Sequence, residues 1–123
     1  LLNHVFRSLK CLRDQDIFSA RLTVTEVVPH FLILIFGIEG RLRPYNKYVR
    51  WELVNHPLKL LPWDADQVQG FIVLLFECKQ PIKSLQTLLG VVEDVVKGTE
   101  FQVVLDEWEK ELRWMKSADR SPG

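Results

Sequence analysis

The residues best suited to chemistry lie between Gly40 and Leu58, in the run GRLRPYNKYVRWELVNHPL. From Arg41 to Arg50 it carries four cations, Arg41, Arg43, Lys47 and Arg50, and no acid. Tyr45, Tyr48 and Trp51 are interleaved with that charge. Guanidinium and ammonium groups bind phosphate, while aromatic faces accept a base or a sugar ring. On a helix starting near Tyr45, Lys47 and Arg50 stand three apart and share a face. Tyr48 and Trp51 are also three apart, on a face rotated from the cations. Charge runs are usually solvated faces, so spacing alone favours aromatics packed into the core while Arg and Lys reach water.

Inside this run, Arg50 and His56 are separated by five residues. That spacing is similar to the loose R-x(4–6)-H pattern of the HEPN domains, a helical RNase superfamily. There Arg and His flank a phosphodiester and the imidazole serves proton transfer. Against this, His56 directly precedes Pro57 at a helix end, where a histidine is a common C-terminal residue. The pairs Asp14/Asp16 and Asp64/Asp66 superficially match carboxylates that hold Mg²⁺. A helix-to-helix turn accounts for the first pair, and a helix cap at Asp64 for the second.

No Gly-rich phosphate loop, GxSxG or HExxH is present. His4, His30 and His56 are too scattered for a metal site. No catalytic and no metal-ligating residue is therefore assigned. Cys11 and Cys78 sit far apart without a CxxC, as expected for two reduced, mostly buried thiols in a cytoplasmic protein.

The elements that must position these residues read as helices throughout. Leu2, Val5, Phe6, Leu9 and Leu12 recur at helical spacing, and Asp14-Gln15-Asp16 closes that helix. A second helix is expected from Ile17 or Phe18 to about Glu39, with a kink or break at Pro29 and a stop at Gly40. Its later half, 31–38, is apolar all round and should be buried. A short helix from about Tyr45 to Asn55 stops before His56-Pro57. The connector 57–62 has an apolar interior of Leu58, Leu60 and Leu61.

Asp64 and Gln67 form a capping box, with Trp63 and Val68 placed as a hydrophobic staple. They open a helix through Phe71, Leu74, Leu75 and Cys78. Pro81 starts a fifth helix that buries Leu85, Leu88, Leu89, Val92 and Val96 and stops at Gly98. Thr99 and Gln102 read as another capping box, opening a last helix with a stripe of Phe101, Val104, Leu105, Trp108, Leu112 and Met115. The architecture expected is all-α: a single-domain bundle of five to six helices over 1–117, with a flexible tail at 118–123.

At 123 residues the chain can bury roughly two-thirds of its unfolded surface in one core. Its net charge of zero excludes a uniformly basic polyanion binder. That zero conceals an asymmetry: nine cations face five anions in residues 1–63, and seven face eleven in 64–123. The longest apolar run, 27–38, is interrupted by Pro29 and His30 and is shorter than the roughly 20 residues of a bilayer span. No membrane association is expected. The chain does not begin with Met, as expected of a segment of a longer protein.

The stretch RPYNKYVRWELVNHPL, residues 43–58, resembles the signature of the helical C-terminal domain of bacterial nucleotidyltransferase-like proteins. Those proteins carry an N-terminal catalytic domain of the DNA-polymerase-β type. The likeness extends more loosely to the first helix, to residues 36–41, and to Trp63 with the capped helix after it. It implies an accessory domain that covers the catalytic cleft and helps bind nucleotide or acceptor. By that analogy Arg41, Arg43, Tyr45, Lys47 and Arg50 would face an anionic nucleotide or small acceptor substrate. The family's Gly-Ser followed by Asp-x-Asp is absent, so Mg²⁺ and a nucleoside triphosphate would belong to a separate catalytic domain. The partners implied are that N-terminal catalytic domain and its substrate. The apolar and aromatic content adds a homodimer, or an interaction module, as a further alternative.

Overall fold

The computed structural model describes residues 1–77 and 79–117; the expectations for Cys78 and for a tail at 118–123 lie outside them. Every regular element among the described residues is helical. Helix α1 spans Leu2–Arg13 and α2 spans Ile17–Gly37. The turn between them places Gln15 at φ 61°, a left-handed conformation rare for a side-chain-bearing residue. Asp16 caps α2 by accepting from the Ser19 amide at 3.0 Å. The two helices pack along Val5, Leu9, Val24 and Val27, all buried. Ser8, fully enclosed at that contact, donates to the Ala20 carbonyl at 3.2 Å. Its hydroxyl is thereby satisfied where an unpaired one would be costly.

Helix α2 runs unbroken through Pro29, so of the two alternatives a break does not occur. Proline removes one hydrogen bond, and packing of Val27, Val28, Phe31 and Leu32 on both sides of it holds the helix together. The end of α2 is a Schellman closure. Gly40 takes φ 71°, Gly40 N donates to the Gly37 carbonyl at 2.9 Å, and Arg41 N to the Phe36 carbonyl at 3.0 Å. Burial of the later half is one-sided rather than complete. Phe31, Leu32, Ile35 and Phe36 are buried, while Ile33 is about half exposed. By length and composition alone this 21-residue helix, of mean hydropathy 1.4, suffices to cross a bilayer. In the fold its buried face is spent against α1 and the helices that follow.

A 3₁₀ turn at Asn46–Tyr48 leads into the short α3, Val49–Asn55. Helix α4 covers Ala65–Glu77 and begins with the capping box, both arms of which form. The Gln67 amide donates to Asp64 Oδ1 at 2.8 Å, and the Asp64 amide to Gln67 Oε1 at 2.9 Å. Asp64→Ala is expected to lose about 1 kcal/mol, read as a lower urea midpoint with an unchanged slope. Trp63 meets Phe71 edge-on, with ring centroids 5.3 Å apart, and Phe71 meets Phe31 at 5.9 Å. Leu74 and Leu60, expected inside, are about half exposed.

Helix α5, Pro81–Val96, buries the five residues expected of it and Val95 as well. Gly98 follows at φ 79°. The second capping box does not form. Gln102 instead donates to Asp106 Oδ1 at 3.2 Å, and the Thr99 hydroxyl donates to the Val96 carbonyl and accepts from the Phe101 amide. The last helix is two: α6, Gln102–Glu107, and α7, Glu109–Lys116, separated at Trp108. That bend directs Leu105, Leu112 and Met115 inward, where a straight helix would have carried Phe101 and Val104 as well. The seventh helix arises from this division.

Where α1 and α2 flank each other, His4 and His30 stack with centroids 4.8 Å apart and planes 18° from parallel. His4 Nε2 lies 3.0 Å from Glu26 Oε2. His30 is a surface residue, and its slight desolvation lowers its pKa, as does the neighbouring His4, against an opposing pull from Glu26. A lowered histidine pKa means that the unfolded chain binds the proton more readily. Stability is then complete above the unfolded value and falls as pH drops through the histidine range. Thermal melts between about pH 7 and about pH 5 should show this slope, and His30→Gln should flatten it.

Candidate functional site

The cation-rich run begins at the Schellman turn, so the closure of α2 aims Arg41 across the chain. Its guanidinium lies over the Phe36 ring, 5.0 Å from the centroid. It reaches Glu52 Oε2 at 3.3 Å and stands 3.9 Å from Glu39 Oε1. Glu39 is nearly enclosed and its other oxygen accepts from the Lys59 and Leu60 amides, at 2.7 and 3.1 Å. Arg41 and Glu39 thus rivet the connector 57–62 and α3 to the end of α2. Arg43 folds back on its own loop and donates to the Pro44 carbonyl at 3.0 Å and to Asn46 Oδ1.

Arg50 bridges α3 to α4, with Nη1 2.9 Å from both Asp66 Oδ1 and Gln69 Oε1. This contact is exposed and worth at most about 1 kcal/mol. Lys47 lies over Tyr48, 5.8 Å from the ring centroid, and has no carboxylate partner among the described residues. Of the four cations in the acid-free window, Arg41 and Arg50 are thus paired with carboxylates, Arg43 is held by neutral acceptors of its own loop, and Lys47 alone has no hydrogen-bond or ion-pair partner among the described residues. Glu39 and Glu52 flank that window in sequence, and Asp66 arrives only through folding.

The aromatics depart from the expectation of core packing. Tyr45 is 83%, Tyr48 51% and Trp51 55% exposed. Within the 3₁₀ turn and α3 only Val49 and Leu53 turn inward, and α3 is too short to bury a second face. Lys47 lies over Tyr48, and Tyr45 and Trp51 stand exposed within three residues of that pair in sequence. Tyr48 and Trp51 belong to this exposed group as fully as Tyr45, a weight that residue spacing alone did not give them.

Arg50 and His56 do not share a hollow. His56 lines one of about 690 Å³ with Glu39, Arg41, Glu52, Asn55 and Lys59. Arg50 borders a separate one of about 190 Å³, between α3 and α4. His56 meets Trp51 edge-on, with centroids 5.8 Å apart. His56 thus shares its hollow with Arg41 rather than Arg50, which the linear spacing does not reveal. No group of three or more His, Cys, Asp or Glu among the described residues is arranged to hold a metal ion. The chain matches no known protein family, no curated protein and no solved structure.

Proposed function

We propose that this chain is an accessory helical domain of a bacterial, cytoplasmic nucleotidyltransferase-like protein. It covers the cleft of a polymerase-β-type catalytic domain and helps hold nucleotide or acceptor, and is not catalytic alone. The observation that carries this reading is the exposure of Tyr45, Tyr48 and Trp51 beside the uncommitted Lys47. Three aromatics left out of a core, next to a cation, suit a base stacked on a ring with its phosphate on an ammonium group. Arg41, Arg43 and Arg50 act here mainly by shaping that surface. Mg²⁺ and the triphosphate chemistry belong to the catalytic domain. The ribonuclease alternative, which pairs Arg50 with His56, draws no support from side chains that line different hollows.

The test is a titration of isotope-labelled protein with ATP, followed by amide and indole chemical shifts. Shifts confined to Tyr45, Lys47, Tyr48 and Trp51 are expected. Saturating shifts elsewhere, or none at all, would overturn the assignment.

A further inference from the structure

Helix α2 leaves part of its surface uncovered in a regular pattern. Phe18 is three-quarters exposed, Leu22 and Ile33 are about half exposed, and Thr25 is exposed between them. Half-buried Pro29 continues the line. At 100° per residue, Phe18, Leu22, Thr25, Pro29 and Ile33 fall on one stripe about 22 Å long. The Thr25 hydroxyl donates to the Leu22 carbonyl, so its hydrogen-bonding need is met within the helix. The stripe is uncharged from end to end.

Its flanks carry the information about what covers it. Arg21, on one side, is exposed and has no ion-pair or hydrogen-bond partner among the described residues. Glu26, on the other side, is 62% exposed and is engaged through one oxygen by His4. In a heptad with Leu22 at position a and Thr25 at d, Arg21 takes g and Glu26 takes e. Parallel two-stranded coiled coils pair position g of one helix with position e of the other, five residues later. Arg21 and Glu26 are five apart and opposite in charge, so a two-fold axis along the stripe pairs them twice. An antiparallel arrangement would instead set equivalent flanks, and hence the two Arg21 side chains, against each other.

We infer that the stripe Phe18–Leu22–Thr25–Pro29 of α2 is the contact surface of a homodimer, its two copies parallel and joined by reciprocal Arg21–Glu26 pairs. Further along α2, Phe36 lies on the same side and is already buried within the chain, so the two helices meet over Phe18 to Pro29 and diverge beyond it. A seam this short lies at the small end of specific interfaces, and the dimer should dissociate in the micromolar range.

Sedimentation equilibrium on the full chain, over a concentration series, tests this. A monomer–dimer equilibrium is expected, weakened at least tenfold by Leu22→Asp and by Arg21→Glu. Both sites are exposed, so circular dichroism and melting should stay unchanged. The double variant Arg21→Glu/Glu26→Arg restores the pairs with reversed polarity and should recover most of the association. A monomer at all concentrations, or a dimer indifferent to Leu22→Asp, would overturn the surface. Failure of the charge swap to rescue Arg21→Glu would overturn the parallel register.

Discussion

Phe31→Ala is expected to lose about 3–5 kcal/mol of folding free energy, the largest effect of any single substitution considered. Phe31 is fully buried at the middle of α2 and meets Phe71 of α4 edge-on. Phe71 in turn meets Trp63, so three rings link α2, α4 and the connector. Truncating the first ring removes its transfer free energy and leaves a cavity that neighbouring rings cannot fill without losing their own contacts. Against a typical total of roughly 5–15 kcal/mol, the variant should be partly unfolded on modest heating. Phe18→Ala, on the same helix but exposed, should change stability by less than about 0.5 kcal/mol. Urea unfolding of the two variants measures the contrast. Equal effects would mean that the buried face of α2 is wrongly placed.

Nucleotide binding should respond to the opposite kind of substitution. Tyr48→Ala and Trp51→Ala are each expected to weaken ATP binding about tenfold, within the roughly 1–3 kcal/mol attributed to one base–aromatic stack. Both rings are half exposed, so the melting temperature should barely move. On the proposed function, Lys47→Ala should weaken binding as well, and less so at high salt, because salt screens the attraction of an exposed ammonium group for phosphate. Arg50→Ala distinguishes surface shape from direct contact. Its guanidinium is already held by Asp66 and Gln69, so its loss should loosen α3 against α4 more than it removes a phosphate ligand. Calorimetric titrations of the four variants with ATP separate these roles. Unchanged affinity in both aromatic variants would remove the basis of the proposed function.

Much of the helical layout was legible locally because its signals are local. The Asp64–Gln67 box forms as its spacing indicates, since an N-cap involves only residues three apart. Gly40 and Gly98 both take left-handed conformations after helices, where the absence of a side chain removes the penalty. The Thr99–Gln102 pair has the same spacing and fails, because the chain turns tightly after Gly98 and both side chains find other partners. Division of the last helix at Trp108 was equally hidden. Its apolar stripe suits a straight helix, and the bend serves the packing of Leu105, Leu112 and Met115.

The candidate site was less legible than the helices. Its cations were visible, but their availability depends on acids that are distant in sequence or outside the run. Arg41 is taken up by Glu52 and approaches Glu39, Arg50 is taken up by Asp66, and Arg43 folds onto neutral oxygens of its own loop, leaving Lys47 without a partner among the described residues. The aromatic periodicity could not distinguish a core stripe from a surface one, because spacing defines a face and not what lies against it. By itself, the sequence determined the all-α class, most helix ends and the region where charge and aromatics meet, since these follow from short-range geometry and composition. Only the tertiary structure decided which cations are neutralised, which rings remain in water and which hollow His56 lines. Those outcomes are set by contacts between residues ten or more positions apart, and by the order in which helices compete for a finite core.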